Sequence, residues 1–194
     1  MDKLSYALGL SIAGNLKSSG VDTIDVESFS NGVKHLVEGV KPEITQDEAT
    51  TLINEFFAGV QAKQFEANIK AGEAFLAENA KKEGVTVLES GLQYEVITEG
   101  TGEKPTATNQ VKCHYHGTLI DGTVFDSSVE RGEPATFPVN GVIAGWVEAL
   151  QLMPIGSKWK LTIPSNLAYG EQGAGQQIGP HTTLVFEVEL LEIV

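Results

Sequence analysis

Between Thr45 and about Glu83 the chain has no proline, and only Gly59 and Gly72 interrupt residues that favour helix. Thr45 is followed three residues later by Glu48, the spacing of a capping box, so the segment has a marked start. Roughly 38 residues at about 1.5 Å each make a rod of roughly 57 Å, far beyond the three or four turns of an ordinary globular helix. A helix this long on a small protein either lies against a partner or stands in solvent. Its apolar residues are dense at the start (Leu52, Ile53, Phe56, Phe57, Val60) and thin later (Phe65, Ile69, Phe75, Leu76). The front half therefore reads as packed, and the back half as an exposed, partly solvated strut.

Two shorter helical segments precede it. Leu4, Leu8 and Ile12 recur every four residues, with Tyr6 and Leu10 widening the stripe, until Ser18-Ser19-Gly20 breaks the pattern. After Asp25-Val26-Glu27 a second stripe carries Phe29, Val33, Leu36 and Val37, and Pro42 is expected to end it. Two short helices and the start of a long one make a thin core for a monomer. A homodimer through residues 1–85 is the expectation, because a second copy would complete that core.

Past Gly84 the hydrophobic period changes from helical to two-fold, so the domain boundary is expected at residues 85 and 86. Val111, Cys113 and Tyr115 alternate with Lys112, His114 and His116. Trp159, Leu161 and Ile163 alternate with Lys158, Lys160 and Thr162, and Leu184, Phe186, Val188 and Leu190 with a face holding Glu187 and Glu189. Each run is the signature of a strand with one buried face. Asp121-Gly122 between Leu119-Ile120 and Thr123-Val124 predicts a hairpin. One short helix interrupts the strands, with Ile143, Trp146 and Leu150 on one face. The predicted fold class is α+β: an all-helical N-terminal domain, then an antiparallel sheet wrapped around one short helix over residues 86–194.

Charge narrows the partners. The formal net charge is −13, and acid outnumbers base in both parts, thirteen to eight over residues 1–85 and thirteen to five over residues 86–194. No basic stripe exists for phosphates, so nucleic acid is not an expected partner. No segment has about 18 uninterrupted apolar residues, so membrane insertion is not expected either. The first residues lack a basic lead-in followed by a long apolar run, and the expectation is a cytoplasmic protein, with a mature exported form left open.

The usual reactive constellations do not assemble. His114 and His116 share a strand face, but no third ligand of suitable spacing accompanies them, and a solvated face is the better reading. Cys113, the single cysteine, falls on the buried side of that strand, where an inert thiol is expected. Gly170-Glu171-Gln172-Gly173-Ala174-Gly175 follows no parallel strand and opens no helix, so it is a loop rather than a phosphate cradle. No metal and no cofactor are expected. What stands out is an aromatic excess: Tyr115, Phe125, Phe137, Trp146, Trp159, Tyr169 and Phe186. Some of these fill a small core, and Trp159 is the best candidate for a purely structural ring.

Three stretches carry a resemblance: VKCHYHGTLIDGTVFDSS, VIAGWVEALQLMPIGSKWKLTIPSNLAYG and GPHTTLVFEVELLEI. Over about residues 87–194 the chain resembles FKBP-type peptidyl-prolyl cis–trans isomerases. Residues 1–85, with the long helix at about 45–83, resemble the dimerising N-terminal region of bacterial Mip-like or FKBP22-type members, through fragments such as DKLSYALGLSIAGNL. The resemblance implies a proline pocket made by Tyr115, Phe125, Asp126, Val142, Ile143, Trp146, Tyr169 and Phe186. Trp146 would be its floor, with Tyr115, Phe125 and Phe186 as walls. Asp126 would sit at the rim paired with Arg131, and the Ile143 N–H and Tyr169 hydroxyl would bond carbonyls of a bound peptide or macrolide.

Two positions depart from the family pattern. Ala135 stands where many members have an aromatic residue, which opens one side of the pocket. Ala174-Gly175, followed by Gln176 and Gln177, replaces a His-Pro pair common in eukaryotic members. The implied partners are proline-containing peptides, unfolded proteins and macrolide inhibitors of the rapamycin class. The implied function is isomerisation of X–Pro bonds during protein folding. The alternatives are a dimeric chaperone or binding module for unfolded chains with isomerase activity secondary, and a ligand-binding member without useful catalysis.

Overall fold

A computed structural model of the chain describes residues 1–194. Its contacts divide into two compact units, Met1–Lys63 and Gln64–Val194, a division that falls inside the third helix rather than at residues 85 and 86.

The first unit holds helices α1 (Lys3–Ser18) and α2 (Val26–Glu38) and the start of α3 (Gln46–Asn79). Each helix begins on a side-chain cap. Asp2 and Asp25 accept from the N–H groups of Ser5 and Ser28 at 2.6 and 2.7 Å. At α3 the capping box closes in both directions: Thr45 N–H donates to Glu48 Oε2 at 2.7 Å, and Glu48 N–H to Thr45 Oγ1 at 3.2 Å. Helix α2 stops at Gly39, whose φ of 69° ends the helix ahead of Pro42. No residue of this unit is buried. Leu4, Leu8 and Ile12 keep 69%, 55% and 43% of their surface exposed, so the apolar stripe of α1 is present but has nothing over it.

The second unit is built on one antiparallel sheet in the order β1-β2-β6-β7-β3-β4, with β5 also pairing β3. The strands are β1 (Val85–Val87), β2 (Gln93–Thr98), β3 (Gln110–Leu119), β4 (Val124–Ser127), β5 (Ala135–Pro138), β6 (Lys158–Ile163) and β7 (Leu184–Ile193). The expected alternation is there: Val111, Cys113 and Tyr115 are buried on β3, as are Leu184, Phe186, Val188 and Leu190 on β7. Short helices α4 (Ser128–Arg131) and α5 (Ala144–Leu150) complete the unit, and α5 buries Trp146, Ala149 and Leu150 in the core. The Asp121-Gly122 hairpin forms as predicted, with Gly122 at φ 88° and Leu119 N–H donating to Thr123 O at 2.9 Å.

The back half of α3 is not a solvated strut. From Gln64 to Asn79 it belongs to the second unit and covers part of the sheet's other face. Asn79 Nδ2 donates to Gln93 Oε1 at 2.9 Å and lies 3.3 Å from Thr162 Oγ1, while Gln93 Nε2 donates to Leu76 O at 2.9 Å. All three polar side chains are buried. Gly72 packs closely too, since a Cβ there would sit 2.5 Å from Thr183 Oγ1. The helix docks through glycine and amides, which a hydrophobic stripe does not reveal.

Candidate active site

The inner face of β3 meets helix α5 through aromatic rings. Trp146 lies on α5 and is 4% exposed. Around its indole stand Tyr115 from β3, Phe137 from β5 and Phe186 from β7, with ring centroids 5.5, 5.8 and 5.3 Å away and planes at 82°, 83° and 82°. In edge-to-face packing of this kind the electron-poor edge of one ring meets the electron-rich face of another. Phe125 from β4 stands at 86° to Phe186, 5.4 Å away.

Backbone irregularity aims these rings. The pairing of β3 with β4 slips between Gly117 and Thr118, so Gly117 faces Asp126 while Thr118 faces Val124 and Phe125 falls in the slip. Gly117 also pairs with Phe186 on β7. A Cβ on Gly117 would lie 2.7 Å from Phe125 Cζ and 2.8 Å from Phe186 Cε1, so the missing side chain makes room for both rings.

The result is a cavity of about 420 Å³ lined by Tyr115, Phe125, Asp126, Phe137, Gly141, Val142, Ile143, Trp146, Tyr169 and Phe186. All eight residues expected at the site line it. Val142 and Ile143 lie between a 3-10 turn, Val139–Gly141, and α5; Ile143 is the helix's N-cap, so its N–H stands outside the helical ladder. Tyr169 arrives on the segment after the 3-10 turn Ser165–Leu167 and is 40% exposed.

Phe137 and Gly141 line the cavity in addition to the eight expected residues. Phe137 had a signal, since it belongs to the aromatic excess and lies two residues from Ala135 on one strand face. Gly141 had none. Ala135 supplies no wall; it pairs with Cys113 and packs against the core. Trp159 is a structural ring, stacked on Tyr94 at 4.2 Å and outside the cavity.

Asp126 is the one charged residue in the lining, and it is already engaged. Tyr115 donates its hydroxyl to Asp126 Oδ2 at 2.6 Å, Arg131 pairs with Asp126 Oδ1, and Arg131 also donates to the Tyr115 oxygen at 2.7 Å. Burial, then the bond to Asp126, pushes the Tyr115 hydroxyl pKa above its ordinary value. Burial alone would raise the Asp126 pKa, but bonds from Tyr115 and Arg131 outweigh it and hold the carboxyl below the usual range. The Trp146 indole N–H is buried without an acceptor.

Other candidate groups lie elsewhere. His114 Nδ1 is 3.1 Å from Ser128 Oγ and His116 Nδ1 2.9 Å from Ser127 Oγ, on the far side of β3. Cys113 is buried, which pushes its thiol up to about 12, and a thiol so placed is not a nucleophile near neutral pH. No helix is long and apolar enough to cross a membrane.

Comparison with known proteins gives concordant results over both units. The family model described as "FKBP-type peptidyl-prolyl cis-trans isomerase" matches residues 101–191, and "Domain amino terminal to FKBP-type peptidyl-prolyl isomerase" matches residues 1–96. The "FKBP-type 22 kDa peptidyl-prolyl cis-trans isomerase" of Escherichia coli is 54% identical over 192 residues, covering 97% of this chain and 93% of the relative. "Outer membrane protein MIP" of Legionella longbeachae is 43% identical, covering 99% of this chain and 85% of the relative. The crystal structure of FkpA from Escherichia coli superposes with a TM-score of 0.83 at 35% identity, covering 98% of this chain and 92% of that one. The expected cytoplasmic location draws no support from these names, one of which places a relative at the outer membrane.

Proposed function

The chain belongs to the FKBP-type peptidyl-prolyl cis–trans isomerases, enzymes that rotate X–Pro bonds, and we propose that its reaction takes place without covalent chemistry in the cavity over Trp146. The observation carrying this reading is the lining itself: five aromatic rings besides Trp146, and one carboxylate already paired. Such a lining offers a grip for a proline ring and no free nucleophile.

The chemistry needs none. Rotation about a peptide bond faces a barrier of about 18–20 kcal/mol, because twisting breaks amide resonance. The planar amide is the more polar form. An apolar pocket that strips water from it penalises the planar form more than the twisted one, and the relative barrier falls. Donors placed for the twisted carbonyl, the Ile143 N–H and the Tyr169 hydroxyl, add binding that is strongest in the transition state. Every 1.36 kcal/mol so gained is about tenfold in rate. Asp126 serves by holding Tyr115 through its hydroxyl, with Arg131 locking the pair.

Variants test the assignment. Tyr169→Phe is expected to lower kcat/KM on a short X–Pro peptide by about three- to tenfold, the worth of one hydrogen bond. Asp126→Val, which leaves the Tyr115 hydroxyl and Arg131 without their partner, is expected to cost at least as much. Because the folded-state pKa of Asp126 is depressed, the stability from its pairing is complete above the ordinary carboxylate range and disappears only as pH falls through the lower folded value. Full activity in both variants, with far-UV spectra unchanged, would remove the two residues from the site.

A homodimer through the first unit is part of the proposal. Its support is that Met1–Lys63 contains no buried residue while Leu4, Leu8, Ile12, Leu36, Leu52 and Ile53 stand exposed, an apolar surface that a second copy would cover. The same surface favours a second reading, in which it receives unfolded chains and isomerisation is secondary. Macrolides of the rapamycin class are the proposed inhibitors of the cavity.

A further inference from the structure

Tyr169 is carried by an irregular segment that runs from the Ser165–Leu167 turn to β7. Two backbone bonds cross the base of this segment: Gly170 N–H donates to Ser165 O at 2.9 Å, and His181 N–H donates to Gly170 O at 2.8 Å. The second bond fixes the residue next to Tyr169. It originates in an unusual place, because His181 has φ 56°, the one positive φ outside glycine. A side chain resists that conformation, and it persists only where neighbours impose it.

The neighbours belong to α3. Asn68 Nδ2 donates to Pro180 O at 2.7 Å, and the Phe65 ring meets the His181 imidazole at 5.5 Å and 66°. Asn68 is itself oriented, since Gln64 Nε2, one turn earlier, donates to its Oδ1 at 2.8 Å. One turn later Gly72 lets the helix lie against Thr183. Pro180 O and the His181 N–H belong to one peptide unit, which is planar and turns as a plate. One edge of the plate is held by Asn68, and the other holds Gly170.

Building on the reading of Tyr169 given above, we propose that Asn68, assisted by Phe65, is a positioning residue for the reaction: it sets the Pro180–His181 peptide and thereby the place of the Tyr169 hydroxyl at the cavity. The helix that leads out of the N-terminal unit is thus a working part of the isomerase site. Neither side chain lines the cavity. Their effect on turnover passes through Tyr169.

The test is a double-mutant cycle on the full chain, read as kcat/KM with a short X–Pro peptide. Asn68→Leu keeps the bulk and removes the donor. It is expected to lower kcat/KM about three- to tenfold, the range for one lost hydrogen bond, and to speed hydrogen exchange at the His181 amide. With Tyr169→Phe already present, the same change is expected to cost less than about twofold, because the group being positioned is gone. Equal losses in both backgrounds would mean a general structural role and would overturn the proposal. So would no loss in the parent background while Tyr169→Phe alone lowers activity, which leaves the site reading intact. If Tyr169→Phe alone costs nothing, the role of Tyr169 falls and the positioning role falls with it. Should Asn68→Leu fail to fold, Phe65→Leu run through the same cycle decides between these outcomes.

Discussion

Gly117→Val is expected to lower kcat/KM on a short X–Pro peptide by about a hundredfold while leaving the far-UV spectrum of the protein in place. A Cβ at this position already falls 2.7 Å from Phe125 Cζ, 2.8 Å from Phe125 Cε2 and 2.8 Å from Phe186 Cε1. Those distances are far inside ordinary carbon contact, so both rings must move, and valine adds two methyl groups more. Both rings line the cavity, and misplacement of positioning groups by about 1 Å can cost about a hundredfold in rate. Valine itself suits the middle of a strand, so the backbone of β3 has no reason to fail. Gly117→Ala should fall between the two. Activity unchanged in the valine variant would mean that Phe125 and Phe186 do not shape the reacting space.

Leu8→Asp together with Ile12→Asp is expected to turn a dimer into monomers. The two side chains are 55% and 43% exposed on α1, on the stripe begun by Leu4. About half of each side chain is already covered, so burying the rest is worth about 0.75–1.5 kcal/mol apiece, and the four side chains of the two copies together contribute about 3–6 kcal/mol. That weakens association by about a hundred- to ten-thousandfold, before the cost of bringing like charges together. Light scattering or sedimentation reads the mass directly. Turnover of a short peptide should stay at the parent level, because every lining residue of the cavity lies in the second unit. Protection of an unfolded client from aggregation should drop with the dimer. A parent protein that is already monomeric at micromolar concentration would defeat the dimer, and client protection that survives in the variant would defeat the second reading.

Much of the architecture is legible in the chain because the core follows simple periods. Two-fold alternation marks β3, β6 and β7 since one face of each is buried against α5 and its neighbours. The Thr45–Glu48 box and the Asp121-Gly122 turn are local devices, and local chemistry forms both as expected. The place of α3 was not legible. Its docked face is made largely by Gly72, Asn79 and Asn68, which carry no hydrophobic signal, with Phe65 beside them, and its partners lie far along the chain at Thr162, Pro180, His181 and Thr183. Thr162 shows the same limit from the other side: alternation assigns it to solvent, yet the helix buries it to 2% exposure.

The site was legible in a different way. Periodicity places Tyr115 and Phe186 on inward strand faces, but it cannot bring Val142, Ile143 and Tyr169 to the same cavity; those came from the resemblance. Phe137 fell outside it because the same alternation that points it inward reads equally as core. Arg131 was expected on Asp126 and is found there, and it reaches the Tyr115 oxygen as well. That second bond depends on how α4 turns back over β3, which no spacing in the sequence encodes.

The most direct test of the cavity over Trp146 is cis–trans exchange of a short Ala-Phe-Pro-type peptide, measured with and without a macrolide of the rapamycin class. Acceleration is expected, falling to the uncatalysed rate when the macrolide fills the cavity, with the Trp146 fluorescence responding over the same concentration range. Acceleration that persists while the macrolide is bound at the indole would put the chemistry elsewhere and contradict its assignment to the cavity.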